Sequence, residues 1–134
     1  MLRKYEEFED ENGRVVRYQR GESGGLVAAG AEVADDARIG AWTWVDAGAH
    51  VESGARVGER GWVEGGAVIG RRARLGSHVR VAAGAVVGAG VRVGARATIG
   101  AGARVEEGAV VPEDARVPDG AVVARGRERH GLAA

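Results

Sequence analysis

The sequence predicts an all-β chain: a single-stranded parallel β-helix shaped as a triangular prism, 18 residues per coil and five to six coils long, with an N-terminal β-hairpin. Three observations predict it. A branched aliphatic residue stands at every sixth position from Val27 through Val33, Ile39, Val45 and onward to Ile99, Val105, Val111, Val117 and Val123. Two residues before most of these sits a small residue, as at Ala31, Ala37, Ala49, Ala55, Gly61, Ala67 and Ala73. Written in rows of 18, the glycines sort into columns. An α-helical period of 3.6 drifts out of phase with six, and hairpins would need turns of varying length. Short strands joined by tight corners satisfy all three, with the aliphatic side chain pointing inward and successive coils pairing about 4.8 Å apart.

Composition agrees with a narrow tube. Glycine makes up 24 of 134 residues, well above the usual ~7%. Apolar residues are 45% of the chain but aromatics only 4%, so Val and Ala must fill the interior. Basic and acidic residues balance at 19 each, and gross charge therefore points to neither nucleic acid nor membrane. The absence of cysteine excludes disulfides, thiol nucleophiles and thiolate metal sites. No apolar run approaches the ~18 residues of a membrane span, and residues 1–6 lack the apolar segment of a signal peptide. A cytoplasmic location is expected.

The elements follow in order. Residues 1–24 form the hairpin segment, turning at Asn12-Gly13, a pair that favours a two-residue type I′ turn. That turn sets Glu11 against Arg14 and Glu7 against Tyr18. A solenoid leaves strand edges unpaired at its ends, so the hairpin reads as a cap or dimerisation arm, with a ligand-binding arm as the other reading. Residues 25–125 form the repeats, and residues 126–134 a polar tail. One corner column of the prism is Gly30, Gly48, Gly66, Gly84, Gly102 and Gly120, as a positive φ demands. A second is Asp36, Gly54, Arg72, Gly90, Gly108 and Gly126. The third, Trp42, Arg60, His78, Arg96 and Asp114, has no glycine, which implies a less demanding backbone there.

This pattern resembles the hexapeptide-repeat superfamily, the left-handed parallel β-helices of many acyltransferases and related proteins, across residues 25–125. The left hand of the helix is what the resemblance implies; periodicity does not fix it. The entry Gly21-Glu22-Ser23-Gly24-Gly25-Leu26 after a hairpin is also similar to certain uncharacterised bacterial and phage-encoded members.

Three sets of outward residues are candidates for function. Trp44 and Trp62 are 18 apart and should stack on one face above Leu26, with Trp42 at the neighbouring corner. Water should not face so apolar a patch. The hairpin or a second subunit covers it on one reading; on the other it is a stacking platform for a sugar or a base. Arg38, Arg56, Arg74 and Arg92 form a column on a different face beside Gly40, Gly58, Gly76 and Gly94, flanked by Arg60, Arg72 and Arg96. The strip is either a groove for a polyanion or protein partner, or a solvated face, or one paired with acids such as Glu52, Glu64 or Glu106 of another subunit. The third face carries Val68, Val86 and Val122 with His50 and Arg104, a surface suited to self-association. The resemblance implies a homotrimer.

For catalysis, the resemblance implies a histidine general base acting on an acceptor hydroxyl or amine. His78, at a corner in Gly76-Ser77-His78-Val79, is the one suited residue; His50 lies on another face and His130 in the tail. Members with this activity usually carry a loop excursion, and none interrupts the repeats here. A zinc site of three imidazoles is not assembled by three histidines so dispersed. Glycine spacings such as Gly84 to Gly90 precede no helix, so a dinucleotide site is excluded. The expected function is thus a non-catalytic structural or interaction protein, a rigid self-associating prism without cofactor or metal. The alternative is an acyltransferase using acetyl-CoA or another acyl-CoA, with His78 as base.

Overall fold

The computed structural model describes residues 5–9 and 12–125, and within them the chain is a left-handed parallel β-helix entered from a hairpin. The hairpin strands β1 (Tyr5–Glu9) and β2 (Val15–Arg20) are antiparallel, and β2 pairs antiparallel with β3 (Leu26–Ala28), the first strand of the coil. Every later strand is two residues long, one residue out and one in. They stack into three flat faces.

The tryptophan face runs upward from β3 through Trp44–Val45, Trp62–Val63, Arg80–Val81, Thr98–Ile99 and Arg116–Val117, and the hairpin extends it to eight strands. The valine face runs from Glu32–Val33 through His50–Val51, Val68–Ile69, Val86–Val87 and Arg104–Val105 to Val122–Val123. The arginine face stacks Arg38–Ile39, Arg56–Val57, Arg74–Leu75, Arg92–Val93 and Val110–Val111. Residues eighteen apart are vertical neighbours throughout: Trp44 lies directly below Trp62, and Leu26 below Trp44. Parallel crossovers are almost always right-handed because long strands twist. Strands of two residues carry too little twist to impose that hand.

The shaft is apolar from end to end. Val45, Val63, Ile69, Val81, Val87 and Ile99 are completely buried, and the corner alanines Ala49, Ala55, Ala67, Ala85 and Ala103 fill the angles between them. Small residues are needed because coils lie on each other backbone to backbone. A Cβ on Gly58 would stand 2.6 Å from the carbonyl carbon of Gly76. Gly40, Gly58, Gly76 and Gly94 are thus packing positions as much as a floor for the arginines.

Two local expectations need correction. The hairpin pairs Glu7 with Arg17 and Glu6 with Tyr18, one residue away from the two-residue turn. Gly13 adopts φ 80°, the residue that closes a longer loop in the left-handed region. The new register lets the Arg17 guanidinium reach Glu7 at 2.9 Å. The Glu11–Arg14 pair and the tail 126–134 lie outside the described residues. The second correction concerns the glycine-free corner. Trp42, Arg60, His78, Arg96 and Asp114 all have φ between 56° and 63°, as does Arg72 at the second corner. That backbone is as demanding as the glycine column, where φ runs from 67° to 94°.

The reason is hydrogen bonding between coils. The left-handed residue turns its N–H onto a carbonyl of the coil below: Arg60 to Ala41 at 2.9 Å, His78 to Glu59 at 2.9 Å, Arg96 to Ser77 at 2.8 Å. A non-glycine residue in this region costs ~1–2 kcal/mol. The chain bears that cost five times on one edge of the prism. No helix long and apolar enough to cross a membrane occurs among the described residues.

Candidate functional site

The edge that bears the strain lies between the arginine and tryptophan faces, and the unusual side chains of the molecule gather on both sides of it. The chain has three Trp, two Tyr and one Phe. None of the tryptophans is in the shaft. All three, with Tyr18, Asp46 and Arg60, line one shallow basin near the hairpin end.

The basin is built by the repeat and closed by the hairpin. Register stacks Trp62 on Trp44, and Trp42 projects from the corner between faces. Pairing of β2 with β3 places Tyr18 opposite Ala28, from where its ring meets Trp44 edge-on, with centroids 5.1 Å apart and planes at 89°. The Tyr18 hydroxyl donates to Asp46 Oδ1 at 2.9 Å, and the Trp62 indole N–H donates to Oδ2 at 2.7 Å. Burial, then the bond to Asp46, push the Tyr18 phenol above the ordinary tyrosine range. Two arginines stand over tryptophan rings, Arg80 at 4.8 Å from the Trp62 centroid and Arg20 at 5.2 Å from that of Trp42. Arg80 is fixed by Glu64 at 2.5 Å. The hairpin thus covers Trp44 in part, while Trp42 and Trp62 remain 47% and 42% exposed. Beneath them Thr43 is wholly buried, its hydroxyl donating to the Gly58 carbonyl and accepting from the Gly61 N–H.

Going up the edge, Arg60 and His78 follow Trp42, one per coil. Both are exposed, and neither side chain has a hydrogen-bond or ion-pair partner among the described residues. Arg96 above them is held by Asp114 at 2.8 Å and Glu113 at 3.4 Å. The bond from Arg96 holds the Asp114 carboxyl below the usual carboxylate range.

On the adjoining face Arg38, Arg56, Arg74 and Arg92 stand in register, all exposed and none paired with an acid among the described residues. Glu64 is bonded to Arg80 of its own chain. His50 is on the valine face as expected and lies 3.5 Å from Glu32. Val68 and Val86 there are half-buried, while Val122 is exposed. The structure therefore brings Trp42, Trp44 and Trp62 together, sets the arginine ladder on the next face, and places His78 on the edge dividing them.

Sequence reasoning missed Asp46 and Tyr18. Asp46 was within reach of the column arithmetic: it follows Trp44 by two on the same face, so it must stand beside Trp62. Tyr18 was not, because its place depends on the β2–β3 register.

Residues 72–107 match the family model for bacterial transferase hexapeptide repeats, six of them, a span that includes His78. Among solved structures, the chain is similar to a mutant of perosamine N-acetyltransferase from Caulobacter crescentus in complex with CoA and GDP-perosamine. Identity is 32%, the TM-score 0.74, and the match covers 75% of this chain and 48% of that one. The acetyltransferase domain of PglB from Neisseria gonorrhoeae is 27% identical with a TM-score of 0.74, covering 78% of this chain and 51% of that domain. The same domain in complex with acetyl coenzyme A is matched at 27% identity and a TM-score of 0.60, over 76% of this chain and 55% of that one. The chain spans about half the length of these structures. No curated protein matches it.

These likenesses overturn the expectation of a non-catalytic structural or interaction protein, since the proteins matched over three quarters of the chain are acetyltransferases solved with coenzyme A bound. That expectation rested on a repeat that no loop excursion interrupts. Side chains of successive coils and the hairpin make a basin without any loop. With the transferase repeat over residues 72–107 and the same period running from Val27 to Val123, the chain is a hexapeptide-repeat left-handed parallel β-helix.

Proposed function

We propose that the chain is an acyltransferase that moves an acyl group from acyl-coenzyme A to an acceptor amine or hydroxyl, with His78 as general base. One observation carries it: the likeness, over three quarters of the chain, to acetyltransferases solved with coenzyme A or acetyl coenzyme A. The site geometry supports it. His78 lies inside the transferase repeat, exposed on the strained edge, its imidazole without a partner among the described residues. The arginines at 38, 56, 74 and 92 pair with no acid among the described residues, the chemistry that the phosphates of coenzyme A require.

In this reading His78 takes the proton of the acceptor as its nitrogen or oxygen attacks the thioester carbonyl carbon. The new C–N or C–O bond forms, the C–S bond breaks, and the proton passes to the leaving thiolate, so the products are acylated acceptor and free coenzyme A. A convex edge is a poor site alone, because ligand sites are concave. A second copy packed along the arginine face would supply the missing wall, so self-association belongs to the proposal, with a homotrimer and a cytoplasmic location as its further parts.

Thermal melting with and without coenzyme A and acetyl coenzyme A tests it. A ligand at one hundred times its Kd stabilises by ~2.7 kcal/mol, a rise of several degrees. No rise at millimolar ligand, with no release of free thiol from acetyl coenzyme A, sinks the proposal.

A further inference from the structure

We infer that the basin of Trp42, Trp44, Trp62, Tyr18, Asp46 and Arg60 is a carbohydrate site that takes a single pyranose ring. Four of the six aromatic residues of the chain converge here, although the shaft is built almost without aromatics. Two of them expose over 40% of their surface to water. The positive φ of Trp42 and Arg60 recurs along the whole edge and belongs to the coil, so the case for a site rests on the side chains.

The polar groups select the ligand. A sugar offers an apolar face of C–H groups and a rim of hydroxyls. The exposed parts of the Trp42 and Trp62 indoles take the first, beside the Arg20 and Arg80 guanidiniums that stand over their rings. Asp46 takes the second: each carboxylate oxygen receives one protein donor, from Tyr18 or Trp62, and keeps a lone pair for a ligand O–H or ammonium. Those same two bonds fix the carboxylate before the ligand arrives, which lowers the ordering cost of binding. Arg60 on the rim, whose side chain has no partner among the described residues, offers donors to ring or hydroxyl oxygens. The basin's Asp46 and Arg60 balance in charge, which favours a neutral or amino pyranoside. A nucleotide's phosphates would meet a fixed carboxylate.

Position links the basin to the proposed chemistry. Arg60, on the rim of the basin, lies one coil below His78 on the same edge, about 5 Å per coil. Under the acyl-transfer reading the basin is the acceptor's site, and this consequence rests on that reading. Sugar binding itself does not.

All three tryptophans line the basin, so fluorescence excited selectively at tryptophan reports on it. The titration uses methyl β-glucopyranoside, glucosamine and adenosine, without acyl-coenzyme A. Expected is a saturable change with at least one pyranoside, weakened at least tenfold by Trp62→Ala. Arg60→Gly should weaken it several-fold without lowering the melting temperature, since glycine suits that φ; a loss of binding there is not a loss of fold. No saturable change with either sugar overturns the inference, as does tighter binding of adenosine. A sugar-independent rise in mass that Trp62→Ala abolishes shows a contact between copies and overturns it too. Sugar binding without a coenzyme A shift sinks the transferase alone, and the converse result sinks this inference alone.

Discussion

Replacing His78 by glycine should make the protein more stable and inactive at once. His78 sits at φ 60°, its N–H bonded to the Glu59 carbonyl at 2.9 Å, and its exposed side chain has no partner among the described residues. The left-handed conformation costs a residue with a Cβ ~1–2 kcal/mol. Glycine removes that cost but adds freedom to the unfolded chain, worth ~0.4–1 kcal/mol. The balance is a gain of ~0.5–1 kcal/mol. For a chain of this length that raises the melting temperature by roughly 2–4 °C. Alanine keeps the Cβ, and so the strain, while deleting the imidazole; its stability should stay within ~0.5 kcal/mol of wild type. Thermal melts followed by circular dichroism compare the three proteins. Equal melting temperatures for His78→Gly and His78→Ala would refute the claim that this edge stores strain. Under the proposed function both variants lose transfer by about 10²–10⁴-fold, the more stable one included.

Two further outcomes follow from the packing and the charges. Gly58→Ala should be severely destabilising and Gly102→Ala mild: the first Cβ meets Gly76 at 2.6 Å, while the second, at φ 67°, meets nothing within 4 Å and costs ~1–2 kcal/mol of strain. Urea midpoints for the pair check the order. The Asp36 carboxyl lies below the usual carboxylate range, chiefly through the Ser53 hydroxyl at 2.8 Å and then the Gly54 N–H at 3.1 Å. A depressed folded pKa gives stability that is complete above the unfolded value of ~3.9 and lost as pH falls through the folded one. Ser53→Ala should therefore narrow the gap to wild type only below about pH 4; a gap that stays constant between pH 6 and pH 3 counts against the assignment.

Much of the surface was legible once the period was seen. Arg38, Arg56, Arg74 and Arg92 had to align because eighteen residues return the chain to its starting edge, and the same arithmetic put Trp62 over Trp44. Backbone strain was not legible. The columns of glycine showed where a positive φ is easy, but an absence of glycine did not show where it is relaxed: Trp42, Arg60 and His78 occupy the conformation at a cost. The absence of a loop excursion weighed toward a non-catalytic protein, an expectation that the likeness to acetyltransferases overturns.

The sequence by itself determined the coil, its length in residues, which side chains enter the shaft and which share a face, because a period of six in side-chain size is also a statement about direction. Only the tertiary structure decided how the hairpin docks. The β2–β3 register follows from packing between segments of different pattern, with no repeat to impose it, and it alone sets Tyr18 against Trp44 and Asp46. The strained edge was likewise a tertiary outcome, since its φ values are set by N–H bonds to the coil below. A residue's neighbours eighteen positions away, and not its own propensity, hold it there.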